Sequence, residues 1–493
     1  MKNIKIILLS KALIISSIIF FPFNSIASSN HAVNSESSQM PPYWMVIPFI
    51  LMLLGIAVIP LISPHWWEKN RNKGILSLLV GSVTLIYLFF LGPSESMEKL
   101  AITMMDYVAF ISLLASLYII AGGIFLKGTL SGTPVINTFI LLIGATLASF
   151  MGTTGASMLL IRPMIRANSW RKKRYLQIIF FIFLIANIGG LLTPLGDPPL
   201  FLGFLKRVPF EWTFKLFPEW IFTVGVVLIV FFILDNLLYR KELEDGNKPP
   251  PQKDPLRLEG WHNFFFLAGI IGVIIFAGFV SQNKLVTAWT GIENHLGVDA
   301  VEKFGQSILM LLIAFFAYKV TSPSTRSSNN FGWSPIVEVA VLFAGIFITM
   351  IPALWILDVL GSRNALGIYK PWHFFWATGG LSSFLDNAPT YLTFSAAASG
   401  LNHTDPNNLL QLIKATKDVT GIPFDGAMYL KAISVGAVFM GANTYIGNGP
   451  NFMIKAIAEE NGIKMPSFFG YMLYSIGILI PIFILITLIF FLH

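Results

Sequence analysis

The chain has 493 residues, 55% of them hydrophobic and 12% charged, with a mean hydropathy of +0.71. Soluble domains carry about 25% charged residues, so an ordinary water-soluble protein is excluded, and so is a disordered chain. The formal charge of +8 is first an orientation signal for a membrane protein, and the absence of cysteine excludes disulfides, thiolate catalysis and Cys-ligated metals.

Lys2, Lys5 and Lys11 precede the apolar run 12–21, and Ser25 and Ala27 then stand as in an A-x-A cleavage site. Residues 1–27 read as a signal peptide and 28–42 as a polar tail outside the cytoplasm of a bacterial inner-membrane protein. The alternative is an uncleaved first helix. Apolar runs at 43–63, 75–91, 100–126, 176–205 and 220–239 give five spans. A second five follow at 262–280, 306–318, 335–360, 429–457 and 467–492. Two further stretches, 135–165 and 372–398, carry polar residues near their centres and read as re-entrant hairpins. With that topology the inner loops hold Lys69, Arg71 and Lys73, Lys127, the run from Arg162 to Arg174, Arg240 to Arg257, Lys319 with Arg326, and Lys455 with Lys464. That distribution obeys the positive-inside rule. Counting the hairpins as full spans would move the later basic clusters to the other side.

The predicted fold is an all-α polytopic membrane protein with two inverted repeats of about five spans. The first repeat is 43–239 and the second 261–493. Residues 240–260, charged and containing Pro249, Pro250, Pro251 and Pro255, read as an extended cytoplasmic linker. An odd number of spans per repeat inverts the second relative to the first, and such carriers place their sites at broken helices. Gly190-Leu-Leu-Thr193-Pro-Leu-Gly196-Asp197-Pro198-Pro199-Leu-Phe201 aligns without gaps to Gly441-Ala-Asn443-Thr444-Tyr-Ile-Gly447-Asn448-Gly449-Pro450-Asn451-Phe452. Upstream of each break lies a hairpin tip, Ser149-Phe-Met-Gly152-Thr153-Thr154 against Ser383-Phe-Leu-Asp386-Asn387-Ala-Pro389-Thr390.

Mid-span Gly and Pro free backbone groups that must meet protein or water. Freed carbonyls face cations, and the new helix N-termini favour anions. Thr193, Thr444, Asn443 and Asn448 add neutral oxygens suited to Na⁺. Asp386 and Asp197 are carboxylates near mid-membrane, where an ionised side chain costs a few kcal/mol unless paired. Each either binds a cation or takes a proton, which suffices for exchange. Asp197 reads equally as the N-cap of a half-helix. Asn187 is a ligand or interhelical glue. Asp106, Glu338, Lys319 and Asp235 read as interfacial.

These paired hairpins and breaks resemble the ion transporter superfamily, which includes NhaD-type Na⁺/H⁺ antiporters, ArsB-type arsenite exporters, and citrate and divalent-anion symporters. The run Asp386-Asn387-Ala388-Pro389-Thr390 is similar to the Asp-Asn-x-Pro-Thr of the NhaD type. The resemblance implies Na⁺ sites at each tip and adjoining break, built from Asp386, Asn387, Thr390, Asn443, Thr444 and Asn448 in one half. In the other half the matching positions are Thr153, Thr154, Thr193 and Asp197, with Asn187 nearby. It also implies an elevator-like movement and a homodimer. Di- and tricarboxylate symporters carry Ser-Asn-Thr at both tips, whereas this chain has Gly-Thr-Thr and Asp-Asn-Ala. The expected function is therefore Na⁺(Li⁺)/H⁺ antiport, with transported ions and no resident cofactor. The alternative is a citrate-like organic-anion carrier. An intramembrane aspartyl protease is remote, because the chain has no Tyr-Asp pair.

Overall fold

The computed structural model describes residues 40–93, 95–128, 130–249, 255–363, 367–417 and 424–492. The leader 1–27, the tail as far as residue 39, and linker residues 250–254 lie outside the described residues.

In chain order the main helices are α1 Ile47–Ile62, α2 Asn70–Phe90 and α3 Ser96–Ala121, then the first hairpin, α4 Pro134–Met151 and α5 Thr153–Ala167. The first broken helix is α6 Tyr175–Leu184, a 3-10 turn Ile188–Leu192, and α7 Pro198–Leu205. It is followed by α8 Phe217–Glu244, α9 Asn263–Gln282, α10 His295–Val320 and α11 Ser334–Ser362. The second hairpin is α12 Pro371–Ser382 and α13 Asn387–Leu401. The second broken helix is α14 Gly426–Met440, a 3-10 turn Gly441–Asn443, and α15 Gly449–Glu460, and α16 Phe468–Ile486 follows. Among the described residues ten helical segments are long and apolar enough to cross a membrane. The protein is an all-α polytopic membrane protein.

Local chemistry sets the boundaries. Pro134, Pro198, Pro371 and Pro450 all sit in first turns, where a missing N–H leaves no helical bond unmade. The hydroxyl of Thr133 caps α4 by accepting from Ile136 N, and Ser467 caps α16 by accepting from Gly470 N. The α4 leg has 18 residues and is apolar enough to cross by itself. It turns back instead at Gly152, whose φ of 80° suits glycine. Both ends of the hairpin lie together: Gly132 N donates to Ala167 O at 2.9 Å, and Asn137 and Asn168 exchange amide bonds at 2.9 Å.

The helices sort into two bodies. In one, α1, α2, α3, α9, α10 and α11 pack on each other; Lys73 of α2 pairs with Glu338 of α11 at 2.7 Å. In the other, the two hairpins and two broken helices pack with α8 and α16. The bodies meet chiefly where α13 lies on α11 and where α5 and α7 touch α3. The segment Tyr175–Leu192 runs through the centre, 94% of it buried, whereas Phe265, Leu473 and Phe469 are among the many large apolar side chains exposed toward lipid.

Four expectations need correction. The linker is not extended throughout: α8 continues to Glu244, and Arg257–Glu259 (β2) pairs antiparallel with Phe125–Lys127 (β1). The run read at 306–318 belongs to a longer helix, His295–Val320, because its polar N-terminal turns face other helices rather than lipid. Asp235 is not interfacial. It is fully buried, accepting from Arg171 Nη1 at 2.5 Å, Gln177 Nε2 at 2.6 Å and Asn137 Nδ2 at 3.0 Å. Asp106 is also buried, held by Lys206 at 2.9 Å and Lys303 at 2.7 Å. Both acids found basic partners far away in sequence, which makes burial tolerable.

Candidate functional site

The two breaks are built alike. Thr193 Oγ1 donates to Ser149 O, and Thr444 Oγ1 donates to Ser383 O at 2.5 Å. Each hydroxyl also accepts from the amide two residues on, Leu195 N at 3.1 Å and Ile446 N at 3.2 Å. Ser149 Oγ donates to Gly189 O at 2.5 Å, and Ser383 Oγ donates to Met440 O at 3.1 Å. Backbone angles repeat too: Asp197 has φ −143° and ψ 145°, and Asn448 has φ −151° and ψ 142°. Gly196 and Gly447 press against Gly190 O and Gly441 O so closely that a Cβ would stand 2.1 Å and 2.5 Å from those oxygens. A hydrogen-bonded hairpin tip against an unwound stretch is thus made twice from aligned residues. Thr193 and Thr444 act as ties in it, with their hydroxyls committed to backbone.

Asp197 is where the two halves meet. It precedes α7 but makes no capping bond with its side chain. Its Oδ1 accepts from Thr153 Oγ1 at 3.0 Å and from Asn448 Nδ2 at 3.2 Å, and its Oδ2 accepts from Asn387 Nδ2. Both hairpin tips and both breaks therefore supply or hold this one carboxylate, which is 1% exposed. Asp386 takes the capping role instead, accepting from Ala388 N at 3.0 Å at the start of α13, while Thr390 Oγ1 donates to Asp386 O at 2.9 Å.

Asn448 also donates to Ala186 O at 3.0 Å. Asn443 Nδ2 donates to Ser383 Oγ at 2.9 Å. Asn187 bridges the breaks, donating to Asn451 Oδ1 at 2.8 Å, while Asn451 donates to Gly441 O at 2.9 Å and Thr444 O at 3.0 Å. Three buried amide oxygens in this region, Oδ1 of Asn187, Asn387 and Asn443, have no hydrogen-bond partner among the described residues. Buried acceptors without donors carry a desolvation cost that a bound cation or water relieves.

Asp197, Asp386, Thr153, Thr154 and Asn448 line one cleft of about 110 Å³, together with Leu113, Leu117 and Phe343. Among the described residues its lining holds two carboxylates and no Lys, Arg or His. At roughly 30 Å³ per water it has room for about three waters or a partly hydrated monovalent ion. Sequence reasoning passed over Ser149, Ser383 and Asn451. The two serines had a signal, since Ser-Phe opens both aligned tips. Asn451 had none, because its aligned partner is Leu200.

No curated protein matches the chain. A family model described as "Putative citrate transport" matches residues 37–491, nearly the whole of the described structure. The chain belongs to that family of membrane transporters, within the ion transporter superfamily.

Proposed function

We propose that the protein is a secondary active carrier that exchanges a small monovalent cation, Na⁺ or Li⁺, for protons at Asp197 and Asp386. One observation carries this reading: among the described residues, the buried Asp197 and the half-buried Asp386 line one small cleft whose lining holds no basic side chain. In a low-dielectric setting such groups take up either a cation or a proton, and competition between the two couples their fluxes. Asn387, Asn448 and Thr153 hold Asp197 in place while leaving room beside it for an ion. When the cation binds, the carboxyl proton leaves to the open side, and the reverse exchange follows on the other side. The reading puts a homodimer in a bacterial inner membrane, supported by the charge bias of the loops and by the resemblance of the hairpins. It assigns no catalysis to the two acids.

The second reading is transport of a citrate-like anion coupled to a cation, and the family match favours it. An anion entering this cleft meets Asp197 and Asp386, so it requires them to be neutralised first by bound cations or protons. Purified protein in proteoliposomes separates the two. Antiport gives an internal pH change on an imposed Na⁺ or Li⁺ gradient without organic anion. Anion transport gives uptake of labelled citrate and no cation-driven pH change in its absence.

A further inference from the structure

The helix α7 joins two charged centres. Asp197 stands immediately before it, and Lys206 and Arg207 stand immediately after it. Eight helical residues separate them by about 12 Å. At the far end Lys206 pairs with Asp106 of α3 and donates to Asn407 at 2.7 Å. Arg207 pairs with Asp299 at 2.6 Å and Glu302 at 3.3 Å on α10, and also bonds Ser281 of α9. Lys303 of α10 completes the network, 2.7 Å from Asp106 and 3.5 Å from Asp299. Lys206, Asp106, Asp299 and Lys303 are all under 10% exposed. The network thus ties the body that carries the hairpins to the body that does not.

Its position is opposite the cleft. Along α3, Asp106 is in the network while Leu113, Leu117 and Tyr118 line the cleft. Along α11, Pro335, Ile336 and Val339 line the cleft, whereas Leu354, Trp355 and Asp358 line a crevice of about 60 Å³ beside Lys206. On the network's own side lies a vestibule of about 570 Å³ lined by Arg207, Glu302 and Lys303. Phe204 lines the vestibule and Phe201 lines the cleft with Asp197; their rings stack with centroids 5.9 Å apart, and Phe110 stacks on Phe201 at 6.5 Å.

Arg207 is also held in an unfavourable backbone state. Its φ is 71°, and Val208 N donates to Gly203 O and Arg207 N to Phe204 O, both at 3.0 Å. That is a Schellman ending to α7 with arginine where glycine is preferred. The guanidinium is retained at a position that the backbone alone would give to glycine.

We propose that Lys206 and Arg207, with Asp106, Asp299, Glu302 and Lys303, form an ionic latch that shuts the vestibule side of the carrier. The rod α7 makes opening of the latch the step that exposes Asp197 to that side. The proposal rests on the reading of the chain as an alternating-access carrier and not on which ion it carries.

The test uses the full-length chain with single cysteines introduced at Val339, in the cleft, and at Ser395, buried in the crevice beside Lys206. Arg207→Gly is the key variant, since it relieves the backbone at that position while removing the latch. Reaction of Ser395→Cys with a hydrophilic maleimide should rise about tenfold in Arg207→Gly, and that of Val339→Cys should fall. Arg207→Lys should stay near wild type, and Asp299→Asn with Glu302→Gln should reproduce the glycine phenotype. Both rates staying within about twofold of wild type in Arg207→Gly would overturn the latch. A rise at both cysteines together with a lower unfolding temperature would overturn it too, since that marks general loosening. Labelling is read without any flux, so failure of the cation reading in proteoliposomes leaves this result standing, and the reverse holds.

Discussion

Asp197 and Asp386 both precede a half-helix, yet their side chains have different partners. Asp386 caps α13 through Ala388 N, whereas Asp197 gathers Thr153, Asn387 and Asn448. Substitutions separate charge from structure. Asparagine caps a helix about as well as aspartate, so Asp386→Asn should melt within about 0.5 kcal/mol of wild type, and Asp386→Ala about 1 kcal/mol lower. Both should carry out cation-coupled proton movement at less than about a tenth of the wild-type rate, because each lacks the charge. Asp197→Asn should be equally inactive. Near wild-type exchange in any of the three would remove that carboxylate from the site. The hydroxyls of Thr193 and Thr444 make a contrasting case. Each donates to one backbone group; Thr193 accepts from one amide and Thr444 from two, so Thr193→Val and Thr444→Val should each destabilise by about 1–3 kcal/mol, Thr444→Val the more. Thermal unfolding in detergent reads this, and a loss near zero at either threonine would show that its ties do not hold the break.

At the scale of elements, the broken helices were legible because their signal is local. Gly and Pro clusters interrupt an apolar run wherever they occur, and two twelve-residue runs align without gaps with Gly, Thr, Gly, Pro and Phe at the same places. The hairpin tips were legible for the same reason, through Gly152 and the polar residues beside it. What was not legible was the meeting of the halves. Asn387 and Asn448 reach Asp197 across 190 and 251 positions, and no periodicity encodes such a contact. Asp106 and Asp235 were read as interfacial for a related reason: their basic partners, Lys303 and Arg171, come from other elements. The Asp235 cluster fixes the base of the first hairpin to α6 and α8, since Asn137, Arg171 and Gln177 all converge on it. Removing one member strands a buried charge. Asp235→Ala and Arg171→Ala should each therefore cost about 3–5 kcal/mol. The double variant should cost less than the sum, because neither charge is then left alone. A thermal melting series on the three proteins measures this, and strict additivity would show that the pair is not coupled.

At the scale of the whole molecule, the exchange of access requires the two ends of the broken helices to face opposite compartments. The first break crosses the protein from Arg171, at the hairpin base before α6, to Lys206, at the end of α7. Residues 402–409 lie at the latter end, since Leu409 N donates to Lys206 O at 2.8 Å and Asn407 accepts from Lys206. The basic run 171–174 lies at the former end, where Lys172 N and Lys173 N both donate to Glu242 near the end of α8. The positive-inside rule assigns that basic end to the cytoplasm. That reading puts residues 402–409 on the opposite membrane face, away from the cleft lined by Tyr118 and Pro335. A chain without cysteine makes the test direct. Asn402→Cys should react with a membrane-impermeant maleimide in intact cells, and Lys172→Cys only after the membrane is opened. Reaction of both from one side would mean that the first broken helix returns rather than crosses. Asp197 would then have no route by which to change sides.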